Sequence, residues 1–198
     1  RITGIIMAPP RPTFVEDTAA NRQIRALVPS ELNERTIIFS GTITFIMEKL
    51  ARTLAEFEEE ATRFAGSLVP RQRGATLVTL SGELGAGKTS FTKAVARALG
   101  IHETVNSPTF VLEKIYLLPE NYGHRKSVFK RLIHIDAYRL EKGTDLAPLG
   151  FDELMQNPGN LILLEWPERV ADVLSEVTRQ VSFKALPDGS REISYAET

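Results

Sequence analysis

The chain has no cysteine, only one tryptophan, and no apolar run that approaches the length of a membrane helix. Disulfides and thiolate metal sites are therefore excluded, and a membrane span, which needs about 20 apolar residues, is not expected. The first residues also lack the apolar core of a signal peptide, and acidic residues such as Glu16 and Asp17 argue against a transit peptide. The sequence accordingly predicts a cytoplasmic protein.

The chain also lacks an excess of either charge. Its 24 Lys and Arg residues almost balance 25 Asp and Glu residues, and the formal net charge is −1. Proteins that bind nucleic acid through their overall field are strongly basic. This composition therefore predicts no DNA partner, and contact with RNA would need a local basic patch or a partner protein. With 198 residues, of which 42% are hydrophobic, the chain can bury one sizeable core.

What the chain does contain is a glycine-rich octapeptide, GELGAGKT, at residues 82–89. It fits the phosphate-loop pattern GxxxxGK[ST], in which backbone N–H groups and a helix N-terminus hold the phosphates of a nucleotide. The preceding residues 76–81 are apolar and β-branched, which predicts a buried strand. After the motif, apolar residues recur at helical spacing until Gly100, which predicts a helix. This is the context that the motif requires, and we interpret it as a nucleotide site.

Side chains in and near the motif have expected chemical roles. Lys88 is expected to reach the β- and γ-phosphate oxygens, and the hydroxyl of Thr89 to ligate Mg²⁺. A nucleotide hydrolase also needs an acid beside the loop, to hold the metal shell or to orient the attacking water. Asp136 and Glu165 both qualify, because each ends a short apolar stretch with strand composition. An acid that merely caps the following turn is the alternative interpretation.

Three other features are each open to two interpretations. The segment Ser107–Phe110 (SPTF) lies one helix downstream of the loop, where switch loops bring a threonine, here Thr109, to the γ-phosphate and metal. A simple Ser-Pro turn is the alternative. His134 lies in an apolar stretch, either as a core histidine or as a catalytic base. Trp166 follows Glu165 and is either packed in the protein or in contact with the nucleotide or a partner.

The rest of the pattern alternates strands and helices. The predicted strands are residues 110–116, 132–136 and 161–165, the predicted helices are residues 54–68 and 151–155, and a C-terminal hairpin is predicted from residues 178–185, 187–189 and 192–195. Strands that alternate with helices around a phosphate loop predict an α/β fold. We expect a P-loop NTPase-like three-layer sandwich with a mainly parallel sheet and a C-terminal antiparallel hairpin.

Two segments fit this pattern less well. Residues 1–49 begin with a proline-rich stretch and predict a poorly ordered or accessory N-terminal extension, although residues 37–47 have strand composition. Residues 50–198 form the predicted P-loop domain. Within it, residues 119–131 predict a polar loop that carries several basic side chains. A solvated loop, a kinase-like lid, and a contact with tRNA or an acidic protein are all compatible with that composition.

Five short segments, in this order, resemble one protein family. They are residues 82–89 (GELGAGKT), 107–110 (SPTF), 134–140 (HIDAYRL), 149–151 (LGF) and 165–167 (EWP). Together they are similar to the TsaE family, formerly called YjeE, the ATPase of the bacterial machinery that makes N6-threonylcarbamoyladenosine in tRNA. The resemblance covers about residues 50–196. The insert at residues 117–131 is longer than usual for the family, the first fifty residues have no counterpart in it, and Ala137 replaces a bulkier apolar residue.

The resemblance implies a P-loop ATPase that binds ATP and Mg²⁺ and hydrolyses ATP slowly. It also implies association with the transferase TsaD and its paralogue TsaB, with tRNA contacted only through the complex. The implied nucleotide contacts are Glu83, Leu84, Gly85, Ala86, Gly87, Lys88, Thr89, Ser90, Thr62, Thr109 and Trp166. The implied catalytic residues are Lys88, Glu165 and Asp136, and the implied metal ligands are Thr89, Glu165 and Asp136.

Two other functions use the same phosphate loop. A small-molecule kinase would transfer the phosphate to a metabolite, and its product, a phosphorylated metabolite instead of free phosphate, would identify it. A non-enzymatic switch would use bound ATP only to order the loop at Thr109 for a partner. Partner binding that requires ATP but survives the loss of hydrolysis would identify the switch.

Overall fold

The computed structural model describes residues 34–39, 42–122 and 125–197. Residues 1–33, which belong to the extension expected to be poorly ordered, lie outside the described residues. The strands are β1 (Glu34–Phe39), β2 (Thr42–Ala51), β3 (Thr76–Gly82), β4 (Glu113–Leu117), β5 (Asn121–Tyr122), β6 (Arg125–Lys126), β7 (Arg131–Asp136), β8 (Asn160–Glu165), β9 (Arg179–Ala185) and β10 (Arg191–Glu197). The α-helices are α1 (Leu54–Ser67), α2 (Lys88–Ala98) and α3 (Phe151–Met155).

Eight of the described strands form one sheet, in the order β1-β2-β10-β9-β3-β8-β7-β4. The four middle strands, β9, β3, β8 and β7, are parallel, and the strands on both sides are antiparallel. All six residues of β8 are buried, which is typical of a parallel strand covered on both faces. The α/β class, the parallel middle of the sheet and the C-terminal hairpin β9–β10 are confirmed.

Helices cover both faces of this sheet, which makes three layers. On one face, α1 and α2 pack through a cluster of phenylalanines. Phe91 of α2 lies 5.3 Å from Phe64 of α1 and 5.1 Å from Phe183 of β9, measured between ring centroids. On the other face, Phe151 of α3 belongs to a second core with apolar residues of the sheet. The phenylalanine cluster holds α2, and with it the start of the phosphate-loop helix, against the sheet.

The predicted strand 110–116 begins later than expected. β4 starts only at Glu113, and Phe110 is 83% exposed. The backbone N–H groups of Val111 and Leu112 both donate to the carbonyl of Pro108, and Leu112 has a φ of 66°. Local β propensity favours a strand here, but the turn after the proline takes the hydrogen bonds that a strand would need.

Two other expectations need adjustment. The predicted loop 119–131 contains a two-stranded ladder, in which Tyr122 pairs with Arg125. Residues 37–47 fall in two strands instead of one, and β2 runs across residue 50 while it pairs with β10. The sheet therefore has residues on both sides of the proposed domain boundary, and the boundary itself remains a prediction.

None of the helices in the described residues is both long and apolar enough to span a membrane.

Candidate functional site

The phosphate loop joins β3 to α2 and is shaped by its glycines. Gly82 and Gly87 have φ values of 137° and 117°, which L side chains rarely adopt. A Cβ on Gly82 would lie 2.4 Å from the carbonyl oxygen of Phe183, and one on Gly87 would lie 3.0 Å from the ring of Phe57. A Cβ on Gly85 would meet no atom within 4 Å. The loop therefore packs tightly against the protein at both ends and is open in the middle, where a phosphate would lie.

We expect Gly82→Ala to destabilise the fold, because alanine adds both backbone strain and a clash with a backbone carbonyl. The expected loss in the free energy of unfolding is about 3 kcal/mol. Gly189→Ala is the matched control, since Gly189 also has a positive φ, 88°, but open space around it, and its expected cost is about 1 kcal/mol. Urea unfolding of both variants measures the difference. Equal losses would show that the contact with Phe183 is unimportant.

Lys88, the first residue of α2, is only 4% exposed. Its Nζ donates to the carbonyl oxygens of Gly82 and Glu83, at 2.6 and 2.9 Å. It also lies 3.7 Å from the centroid of the Trp166 ring, in a cation–π contact. Burial lowers the pKa of Lys88, and the attraction of nearby carboxylates, Glu165 first, opposes that shift. A desolvated cation thus lies against the open phosphate loop.

Glu165 ends β8, the strand that pairs with β3, and is 2% exposed. Its Oε2 accepts a hydrogen bond of 3.0 Å from the hydroxyl of Thr89 on α2. Its Oε1 lies 2.8 Å from Nε2 of His134 on β7, the next strand of the sheet. The structure thus brings together two of the residues that the sequence suggested as metal ligands.

Asp136 ends β7 and lies opposite Glu165 in the strand register. Its Oδ2 accepts hydrogen bonds from the hydroxyls of Ser107, at 2.8 Å, and Thr109. Its Oδ1 accepts from the backbone N–H of Tyr138 at 3.1 Å. Asp136 therefore caps a turn, as the alternative interpretation held, and also holds the segment that we interpreted as a switch loop.

The other suggested residues lie at different distances from this centre. Trp166 has a φ of 60°, and its ring centroid lies 5.0 Å from that of Tyr138. In the loop, Ala86 is buried, and the exposed residues are Glu83, Leu84, Gly85 and Ser90. Thr62 is exposed on α1, and its hydroxyl donates to the carbonyl of Glu58 within the same helix. Its contact with the nucleotide stays a prediction.

Sequence reasoning missed two contacts of this site. It did not predict the hydrogen bond between His134 and Glu165, and it did not predict that Ser107 donates a hydrogen bond to Asp136. One signal for the first contact was present, because His134 and Asp136 are two residues apart on one strand and so point to the same face. The sequence does not show that β8 is the neighbour of β7 or in which register the two strands pair, so it does not place Glu165 beside His134.

The oxygen atoms of this site fit Mg²⁺, which prefers carboxylate and hydroxyl oxygens and keeps several waters. Thr89 and Glu165 would hold the metal. Among the described residues there is no group of three or more acidic or histidine side chains arranged to bind a metal by themselves. The remaining ligands would therefore come from nucleotide phosphates and water, as is usual for Mg²⁺ at phosphate sites.

Comparisons with known proteins give the same assignment along most of the chain. A family model described as "Threonylcarbamoyl adenosine biosynthesis protein TsaE" matches residues 49–193. The "tRNA threonylcarbamoyladenosine biosynthesis protein TsaE" of Treponema pallidum is 40% identical over 121 residues, covering 61% of this chain and 82% of that protein. The Bacillus subtilis protein of the same name is 38% identical over 122 residues, covering 60% of this chain and 68% of that protein.

A solved structure is also similar. The crystal structure of Bacillus subtilis YdiB matches with a TM-score of 0.60 and 28% sequence identity, covering 79% of this chain and 88% of that chain. All of the suggested site residues, from Thr62 to Trp166, lie inside the segment that the family model matches. The chain therefore belongs to the TsaE family.

Proposed function

We propose that this chain binds ATP with Mg²⁺ and hydrolyses it slowly, as the cytoplasmic ATPase partner of TsaD and TsaB in the formation of threonylcarbamoyladenosine in tRNA. The observation that carries the proposal is the hydrogen bond of 3.0 Å between Thr89 and Glu165. It joins the phosphate loop to the acid of the neighbouring strand, beside the buried Lys88. A phosphate-binding turn, a pair of oxygen ligands and a buried cation are the parts that nucleotide hydrolysis requires.

Lys88 is the residue that would neutralise charge on the β- and γ-phosphates. Its ammonium donates to the backbone carbonyls of Gly82 and Glu83. Charged phosphate oxygens are stronger acceptors than carbonyls, so we expect the ammonium to turn from the carbonyls to the phosphates when a nucleotide binds. The side chain of Lys88 is already buried, so nucleotide binding would remove little additional water from its ammonium group.

The two acids, Glu165 and Asp136, would have different roles in hydrolysis. Glu165 and Thr89 would hold Mg²⁺, which when bound neutralises charge that develops on the phosphates. Asp136 would hold the switch hydroxyls of Ser107 and Thr109 and orient the attacking water through its carboxylate. The geometry favours this division because Thr89 bonds to Glu165, whereas the switch hydroxyls bond to Asp136.

The proposed role in tRNA modification is supported by membership of the TsaE family and by the names of the relatives. Its test is reconstitution of tRNA threonylcarbamoylation with TsaD, TsaB and the enzyme that forms the carbamoyl adenylate, with this chain added or left out. We expect many modified tRNAs per complex with the chain present and about one without it. An equal count in both reactions would remove this chain from the pathway.

Asp136→Asn is expected to reduce ATP hydrolysis about 100-fold while ATP affinity changes little, since a positioned proton acceptor contributes a factor of this size. Phosphate release measures the rate, and the fluorescence of Trp166, the single tryptophan, measures binding. Ser107→Ala is the control, because it removes one hydroxyl from Asp136 but leaves Thr109 in contact. A wild-type rate for Asp136→Asn would assign the water-orienting role to another group.

A further inference from the structure

His134 is a polar side chain in the middle of an apolar strand. It is completely buried on β7, between Ile133 and Ile135, which are also buried. Its Nε2 lies 2.8 Å from Oε1 of Glu165. Its Nδ1 is buried and, within the described part of the chain, has no hydrogen-bond partner. A histidine that served only to fill the core would leave both ring nitrogens without partners, at a cost that an apolar residue would avoid.

The two ring nitrogens have different surroundings, and this selects a tautomer. A proton on Nδ1 would be buried without an acceptor, and Nε2 would then turn a lone pair towards the carboxylate of Glu165. A proton on Nε2 instead faces Oε1 at hydrogen-bond distance. His134 therefore donates from Nε2 to Glu165.

This hydrogen bond separates the functions of the two oxygens of Glu165. Oε1 is occupied by His134, and Oε2 accepts from Thr89 at 3.0 Å. With one oxygen held by a side chain of the sheet, the carboxyl group cannot rotate freely about its terminal torsion. The free lone pairs of Oε2 are then directed to the space beside the Thr89 hydroxyl, where a cation at the phosphates would lie.

We propose that His134 is a positioning residue, which fixes the Glu165 carboxylate so that Oε2 is preorganised to bind Mg²⁺ together with Thr89. The proposal rests on the proposed ATP-binding function. Hydrogen-bond partners of metal ligands typically contribute a factor of about 10 to 100 in metal affinity or activity. Loss of the donor from His134 should therefore weaken Mg²⁺ binding more than it weakens binding of the nucleotide alone.

The first experiment compares His134→Leu, which keeps the apolar volume but removes the donor, with His134→Gln, whose amide can donate from nearly the same position as Nε2. ATP affinity is measured by titration calorimetry with and without Mg²⁺, and the rate of hydrolysis is measured as a function of Mg²⁺ concentration. We expect His134→Leu to require at least about 10-fold more Mg²⁺ for half-maximal activity. We expect His134→Gln to recover most of that loss, with metal-free ATP affinity similar in all three proteins.

The second experiment does not depend on nucleotide. In ¹⁵N NMR of the free protein, we expect the His134 ring to be protonated at Nε2 and not at Nδ1. The chain has three histidines, and the resonance that disappears in His134→Gln is assigned to His134. Protonation at Nδ1 alone, with Nε2 unprotonated, would overturn the proposal, because His134 could not then donate to Glu165.

The failures of the two proposals can be distinguished. If wild type shows no Mg²⁺-dependent ATP binding, the proposed function fails and the positioning role fails with it. If wild type requires Mg²⁺ and His134→Leu has the same Mg²⁺ requirement, only the positioning role fails. Equal defects in His134→Leu and His134→Gln would likewise contradict it, since they would show that packing of the imidazole matters and its donated hydrogen bond does not.

Discussion

Replacement of Lys88 by alanine is expected to lower the rate of ATP hydrolysis by at least about 100-fold, the cost typical of removing one preorganised group that stabilises developing charge. In the described structure Lys88 is the buried cation of the phosphate loop, with its Nζ at the carbonyls of Gly82 and Glu83. Its charge matters more than that of a surface lysine, because the surrounding protein screens it less than water would. ATP binding should weaken as well, since in the proposed site the same ammonium would contact the phosphates before the reaction.

Lys93→Ala is the matched control for this prediction. Lys93 lies on the same helix, α2, but is exposed to solvent. Its loss changes the net charge by the same amount and should leave the hydrolysis rate close to that of wild type. Because Lys88→Ala also removes the contact with Trp166, thermal unfolding of each variant must accompany the rate measurement. Hydrolysis at the wild-type rate by folded Lys88→Ala would refute the assignment of the site.

Glu165→Gln is expected to retain ATP binding but to lose most of its turnover, again by about 100-fold. The amide is close in shape to the carboxylate and can still bond to His134 and Thr89. It lacks the negative charge with which the carboxylate would bind a metal ion most strongly. The carboxylate of Glu165 also raises the pKa of Lys88, so its removal should lower the pKa of Lys88 further.

Glu168→Gln is the control for charge alone. Glu168 is exposed and also raises the pKa of Lys88 by its charge, but no contact joins it to Thr89. We expect this variant to hydrolyse ATP at nearly the wild-type rate. The binding data for Glu165→Gln then distinguish two roles. Retained affinity with lost turnover would mean that the Glu165 carboxylate acts mainly in the transition state, through the metal that it would hold, whereas an equal loss of affinity would mean that it chiefly retains the metal together with the nucleotide.

The same variant separates hydrolysis from a pure switch. If Glu165→Gln binds ATP and still associates with TsaD and TsaB but no longer supports repeated rounds of tRNA modification, hydrolysis is required for the cycle. If modification proceeds normally, ATP binding alone suffices. The contacts of Thr109 with Asp136 would then be the part of the site that matters, because they tie the switch loop to the sheet.

Several elements followed directly from local sequence. Residues 76–81, 132–136 and 161–165 were expected as strands, and all three lie within strands of the parallel middle of the sheet. The segment 110–112 was expected as a strand but forms a turn, because the carbonyl of Pro108 accepts from two successive N–H groups. Phe110 and Val111 favour strands by composition, but composition does not reveal where backbone hydrogen bonds go.

The sequence by itself determined that the chain has a phosphate loop between a strand and a helix, with acids at the ends of two other strands. These are properties of short segments, since a glycine pattern and an apolar period act within a few residues. Only the tertiary structure decided that Glu165 meets Thr89 and His134 while Asp136 meets the switch hydroxyls. Thr89 and Glu165 are 76 positions apart in the chain, and their contact depends on the order and register of the strands, which arise when the whole sheet packs between its two helical layers.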